Sequence, residues 1–223
     1  MKHRMRPWVC LRGGGKMAFP LLAALMLAAC APAAPWQQPY GLGPVAPAPP
    51  RSPGNPPAGP RLPVLELDTL DGPPWLHSTR YQYRLQYLDP QAIRYYATAR
   101  WEAPPGRMLQ VLLAQDLRGS GRWKAILTGG DGQARLVLRV HLHHFLLDFT
   151  GPSRGRAEAG VTATLMEATD YQVLAQKDFS CSVPMKSASP AGGAAAMAAA
   201  SREIARHVTG WAAVTAVSRM LNH

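Results

Sequence analysis

The chain has 223 residues, of which 24 are Lys or Arg and 13 are Asp or Glu, for a formal net charge of +11. Five of the basic residues (Lys2, Arg4, Arg6, Arg12, Lys16) precede any acid, and without them the balance falls to +6. The remaining basic side chains are scattered, with no Lys/Arg block and no aromatic-glycine motif of an RNA-binding sheet, which excludes a nucleic-acid partner. A charge of that size suits anionic lipid headgroups or an acidic protein.

Residues 1–29 read as a cleaved export signal. Behind the basic start, Met17 to Ala29 is an apolar run too short to span a bilayer core of about 30 Å. It closes on Leu27-Ala28-Ala29-Cys30. Small residues ahead of a cysteine admit a signal peptidase, and this order resembles the lipobox of bacterial lipoproteins. Cys30 is then the lipid acceptor, and Ala31, rather than an Asp, after it implies sorting to the outer membrane. With Cys10 removed and Cys30 acylated, Cys181 stands alone and no intramolecular disulfide is available. Its alternation with Phe179 and Val183 points to a small apolar core position.

Residues 30–63 are rich in Pro, Ala and Gly and poor in aliphatic side chains, a composition that cannot build a core. The reading is a disordered, Pro-rich tether that holds the domain several tens of ångströms from the lipid, at about 3.1 Å per residue. The domain itself is expected over 64–223.

Val64, Leu65, Leu67 and Leu70 suggest a first strand, closed by Asp71-Gly72-Pro73-Pro74. Tyr81, Tyr83, Leu85 and Tyr87 alternate with Gln82, Arg84 and Gln86 as a second. Ile93 to Trp101 is the third. Pro104 and Pro105 fit only the first turn of a helix, and Met108, Leu109, Leu112, Leu113 and Leu117 share one face until Gly119. Trp123, Ala125 and Leu127 suggest a short strand before the turn Gly129-Gly130-Asp131-Gly132.

Ala134 to Phe149 is the longest strand, followed by a loop from Gly151 to Arg156. Val161 to Leu165 and Val173 to Val183 read as a hairpin. Pro184 to Gly193 is a loop, and a final helix spans about Ala194 to Met220, with Met197, Ala200, Ile204, Val208, Trp211 and Val214 on its stripe. The class is α+β: a mainly antiparallel or mixed sheet with two helices packed on one face.

Chemistry-bearing clusters are few. His141 and His143 share a strand face, with Asp148 as a candidate third ligand, but nothing completes a metal set and a solvated strand face is the commoner role. There is no Gly-x-Ser-x-Gly elbow and no activated partner for Cys181. Carboxylates are dispersed. The sequence therefore points to no catalytic residue, no metal and no cofactor.

The most distinctive block is Tyr95, Tyr96, Arg100 and Trp101. With Tyr83-Arg84-Leu85, Asp89-Pro90, Ile93-Arg94 and Glu102-Ala103-Pro104-Pro105 ahead of a leucine-rich helix, it resembles the ABC-type transport auxiliary lipoprotein family, which includes PqiC-like proteins. Leu136-Val137-Leu138-Arg139-Val140, Phe145, Ser153-Arg154-Gly155, Ala163-Thr164-Leu165 and the closing helix match in order. The resemblance covers Val64 to about Met220, plus the lipobox.

It implies a non-catalytic, outer-membrane-anchored periplasmic lipoprotein that serves an MCE-type (mammalian cell entry) ABC system moving phospholipids or other hydrophobic molecules between the inner and outer membranes. Its partners would be an MCE-domain protein and the permease and ATPase behind it, with phospholipid as a ligand. Tyr95, Tyr96, Arg100 and Trp101 are the partner- or lipid-contact candidates. Two mechanisms stay open: an adaptor that docks through an exposed edge or loop, and an acyl-chain groove lined by residues such as Trp101, Leu112, Leu113 or Trp211. A different class, an envelope-assembly or structural lipoprotein unconnected with transport, also fits the leader and the tether.

Overall fold

A computed structural model describes residues 36–43, 60–130 and 133–221, and the folded unit begins at Gln37. The signal segment and Cys30 lie outside the described residues. Eight strands form one mixed sheet: β1 Gln38–Tyr40, β2 Leu65–Leu67, β3 Arg80–Leu85, β4 Asp89–Trp101, β5 Ile126–Leu127, β6 Leu136–Gly151, β7 Arg154–Glu167 and β8 Val173–Pro184. Helices α1 (Pro105–Gly119) and α2 (Pro190–Leu221) complete the domain.

The sheet is built on β6, sixteen residues long. One edge of β6 pairs antiparallel with β7 along its whole length, and β7 pairs likewise with β8. Its other edge is shared. β2 lies parallel to the first part, Leu65 opposite Leu136, and β3 lies parallel to the last part, Tyr83 opposite Leu147. β5 extends the sheet beyond β2, while β4 pairs antiparallel with β3 and carries β1 on its far side.

Alternation decides which side is core. Leu136, Leu138, Val140 and Leu142 are buried, whereas Arg139, His141 and His143 are exposed. A register shift between Leu142 and His144 then inserts one extra residue, and the buried series continues as Phe145, Leu147 and Phe149. The bulge therefore leaves His144 on the same outer face as His141, where strict alternation would have turned it inward.

Helix α1 starts behind Pro104, with Pro105 in its first turn, where a missing N–H costs nothing. Met108, Leu109, Leu113 and Leu117 form its buried stripe. Helix α2 is buried over much of its circumference, because it packs on β7 and β8 and also against α1. Its small residues make this close approach feasible: a Cβ on Gly193 would collide with Leu147 and lie 2.8 Å from Tyr81 Oη. The helix begins at Pro190, four residues earlier than the sequence suggests, and β7 begins at Arg154, inside the expected loop.

Two other differences matter more. Residues 37–43 fall within the expected tether, yet Gln38, Pro39 and Tyr40 pair with Ala99, Arg100 and Trp101, and Leu42 is buried in the core. Leu62, also within that range, is buried and bridges to Trp123. A strand supplied with a ready-made edge needs little intrinsic propensity, and proline is tolerated at a sheet edge. The second difference is at Tyr87. β3 ends at Leu85 after a register shift, so Tyr87 sits exposed in the β3–β4 turn instead of continuing the strand.

Candidate functional site

Strand β4 is thirteen residues long, but β1 covers only its last three. Among the described residues no strand pairs with its outer edge from Asp89 to Thr98, and residues 86–91, 93–95, 97 and 98 are all exposed. The β3–β4 hairpin is therefore an arm with one unpaired edge and an exposed turn, held to the end of β6 through Tyr83, Arg84 and Leu85. Tyr87, Leu88, Ile93 and Tyr95 are its exposed apolar or aromatic side chains, at 42%, 64%, 42% and 40%. The Arg80 guanidinium lies 5.0 Å from the centre of the Tyr95 ring.

The root of the arm is aromatic. Tyr81 packs 4.0 Å from Trp101, 5.2 Å from Tyr96 and 6.0 Å from Tyr40, centre to centre. Trp101 in turn meets Phe145 edge-on at 5.3 Å, and Tyr83 bridges Tyr96 to Phe149. Tyr81 Oη donates to the Pro190 carbonyl at 3.1 Å, tying the cluster to the start of α2. Burial pushes the Tyr81 hydroxyl well above its ordinary pKa and the Tyr96 hydroxyl up to about 12, so both stay neutral donors.

The four contact candidates thus separate. Trp101 is fully buried and Tyr96 half-buried. Arg100 is partly exposed and donates to the Trp101 carbonyl. Tyr95 alone presents its ring to solvent among the three aromatics. The residues named for an acyl groove are also core: Leu113 is fully buried, Leu112 packs against the core, and Trp211 stacks edge-on with Phe179 at 5.8 Å.

A cleft of about 480 Å³ instead opens beside the start of α1, lined by Leu70, Leu76, Pro104 and Leu142, with Arg107 and His77 on it. Sequence reading missed both this cleft and the arm. For the arm, the signal was Tyr87-Leu88 beside Asp89-Pro90, an apolar pair inside a turn.

The histidines occupy the polar outer face. His143 Nε2 is 2.6 Å from Thr162 Oγ1, and Thr162 donates to Asp178. The His141 and His143 rings are 5.2 Å apart. His144 covers Gly160, where any Cβ would collide with the imidazole, and burial lowers its pKa. Asp148, the third ligand considered, is otherwise engaged: it accepts from Arg84 Nε at 3.1 Å, Arg84 Nη2 at 2.6 Å and Gln86 Nε2 at 2.5 Å. Among the described residues no three His, Cys, Asp or Glu side chains converge on a metal-sized site. Burial also raises the Cys181 thiol, with Glu203 nearby, which disfavours the thiolate.

The fold is an α+β domain whose eight-stranded mixed sheet carries two helices. The chain belongs to the ABC-type transport auxiliary lipoprotein component family, whose model matches residues 40–209. A crystal structure of a Xanthomonas campestris protein of the DUF330 family model superposes with a TM-score of 0.67 at 23% identity, covering 74% of this chain and 92% of that one. An uncharacterized protein superposes with a TM-score of 0.55 at 13% identity, covering 69% and 94%. These likenesses concern the fold. No curated protein sequence matches the chain.

Proposed function

We propose that the chain is a periplasmic lipoprotein, anchored through Cys30 in the outer membrane, that serves as the non-catalytic adaptor of an MCE-type ABC system moving phospholipids or other hydrophobic molecules between the membranes. Family membership over residues 40–209 carries the transport assignment. The adaptor mechanism is favoured over an internal acyl groove because Trp101 and Leu113, two of the residues that would line it, are fully buried in the core. A domain with a packed interior contributes through its surface.

The surface suited to an MCE-domain protein is the free edge of β8. This strand is twelve residues long and, among the described residues, pairs only with β7, so one row of its backbone donors and acceptors is free of that sheet ladder. A partner strand can add to such an edge through main-chain hydrogen bonds. Exposed Gln176, Asp178, Ser180 and Ser182 keep it polar, which guards against indiscriminate pairing.

Photo-crosslinking in cells from Val173 and Gln176, followed by mass spectrometry, tests the reading. Recovery of an MCE-domain protein supports the adaptor. Recovery only of outer-membrane assembly or cell-wall proteins replaces it with the envelope-structure reading. Native mass spectrometry of the soluble domain decides the mechanism: co-purified phospholipid lost on Leu142→Arg would move the function to the cleft at α1.

A further inference from the structure

We infer that Trp75, Arg80, Tyr95 and Arg100 form a docking surface for an acidic segment of a partner protein, with the two guanidiniums clasping one of its carboxylates. The inference rests on the claim that the domain works through its surface. It adds a contact separate from the β8 edge and the chemistry that contact recognises.

Strand register brings two like charges together. Arg80 and Arg100 are direct partners across the antiparallel β3–β4 pair. The Trp101 N–H donates to the Thr79 carbonyl at 2.8 Å, so the next pair along, Arg80 with Arg100, is a non-hydrogen-bonded one. Side chains stand closest at such positions, with Cα atoms about 4.5 Å apart. Like charges placed directly opposite destabilise a sheet.

The chain supplies no counter-charge. Of its 13 Asp and Glu residues only Asp131 lies outside the described residues, and it follows β5, at the other end of the strand order from β4. Among the described residues neither Arg80 nor Arg100 makes an ion pair. The acids of the adjoining segments are committed elsewhere. Asp71 faces His77 at 3.6 Å, Asp148 holds Arg84, Asp89 accepts from the Gln91 N–H at 3.0 Å, and the Glu102 carboxylate lies over Gly41. Arg80 leans on the Tyr95 ring, and Arg100 spends one N–H on the Trp101 carbonyl at 3.3 Å. Each guanidinium carries five N–H donors, so most are left for an acceptor from outside.

The surroundings select the kind of acceptor. Tyr95 and Trp75 are both exposed. Gln82, opposite Tyr95 in register, donates to the Trp75 carbonyl at 3.1 Å, which fixes the Trp75 main chain over this part of the sheet. A small free anion gains little on so open a surface, where water and salt screen it. A carboxylate carried by a protein segment arrives with apolar area for the two rings to cover, and water is excluded from the charge pair. Trp, Tyr and Arg are the residues that dominate binding energy at protein interfaces.

The test places a photo-crosslinker at Tyr95→p-benzoylphenylalanine in the full-length lipoprotein, in the cells that make it, and identifies the captured segment by mass spectrometry. The expected segment carries an Asp or Glu close to the cross-link. Arg80→Glu with Arg100→Glu should lower its yield about tenfold, and reversing that acid to Arg in the partner should restore it. Rescue by charge exchange is a result that a merely structural role would not give. Arg100→Gln should also melt at or above the parent's midpoint, because it removes the repulsion. A cross-link to phospholipid, a segment without an acid, a yield indifferent to charge reversal, no cross-link, or a lower midpoint in Arg100→Gln overturns the inference. The identity of the captured protein decides the transport reading separately. An acidic segment from an MCE-domain protein sustains both, whereas one from a cell-wall protein sustains the surface and overturns the transport reading.

Discussion

Asp148 is 2% exposed, and its carboxylate is fully partnered: Arg84 meets both of its oxygens and Gln86 adds a third donor. The same ion pair raises the Arg84 pKa, its hydrogen bond to Asp148 being the largest cause. Removing one partner from such a pair leaves an uncompensated buried charge, which costs about 3–5 kcal/mol. Arg84→Met should therefore lower the unfolding free energy by about that amount in urea titration, while Arg84→Lys, which keeps the charge and loses the fork, should lose less.

His144 gives the opposite kind of sensitivity. Burial is the main reason its pKa lies below the ordinary 6.5; Glu158 pulls the other way, and His143 and Arg84 add to the depression. The unfolded chain then binds the proton more readily than the native one, so stability declines as pH falls from about 6.5 through the native pKa. A thermal midpoint followed from pH 7.5 to 5 should drop for the parent and drop less for His144→Asn. An unchanged slope in that variant would assign the acid sensitivity elsewhere.

At the scale of elements, the approach of α2 to the sheet depends on Gly193. Gly193→Ala should destabilise by about 1–3 kcal/mol through overpacking, measured by chemical denaturation, and Leu147→Ala in the same chain should recover part of the loss. The elements themselves were largely legible. Both helices and the long strands carry periods of 3.6 or 2 that survive in the fold, as in Leu109, Leu113 and Leu117 or Leu136, Leu138 and Val140. What escaped sequence reading has no period to read. β1 is three residues around Pro39 and exists because β4 offers an edge; the bulge before His144 is invisible until β7 is beside it. Of the contact candidates, Tyr95 is exposed and Trp101 is core, a division set by the register shift in β4 between Tyr95 and Arg100 and by the packing of Tyr81, not by the residue types.

For the whole molecule, the decisive surprise is that the N-terminal segment closes the aromatic core. Tyr40 packs on Tyr81, Leu42 is buried, and Arg202 of α2 donates to the Leu42 carbonyl at 3.2 Å. A chain beginning at Pro60 should consequently be less stable than one beginning at Trp36 by about 2–5 kcal/mol, the range for losing one buried leucine. Equal midpoints for the two in urea would show that β1 is an ornament of the edge and not part of the core.

The shared edge of β6 has a kinetic consequence. β6, β7 and β8 follow one another as a meander of local hairpins, whereas β2 and β3 join β6 from far up the chain, with Arg84 and Asp148 separated by 64 positions. Contacts of such long separation form late, because the intervening loop must close first. The C-terminal meander is thus the piece able to assemble early, and the N-terminal strands must wait for it. A chain delivered N-terminus first emerges in the reverse of its folding order, with the aromatic segments Tyr81 to Trp101 uncovered until the last hundred residues arrive. Exposed aromatic surface of this kind is prone to association before folding is complete, so the segment is most vulnerable while the chain is still being made.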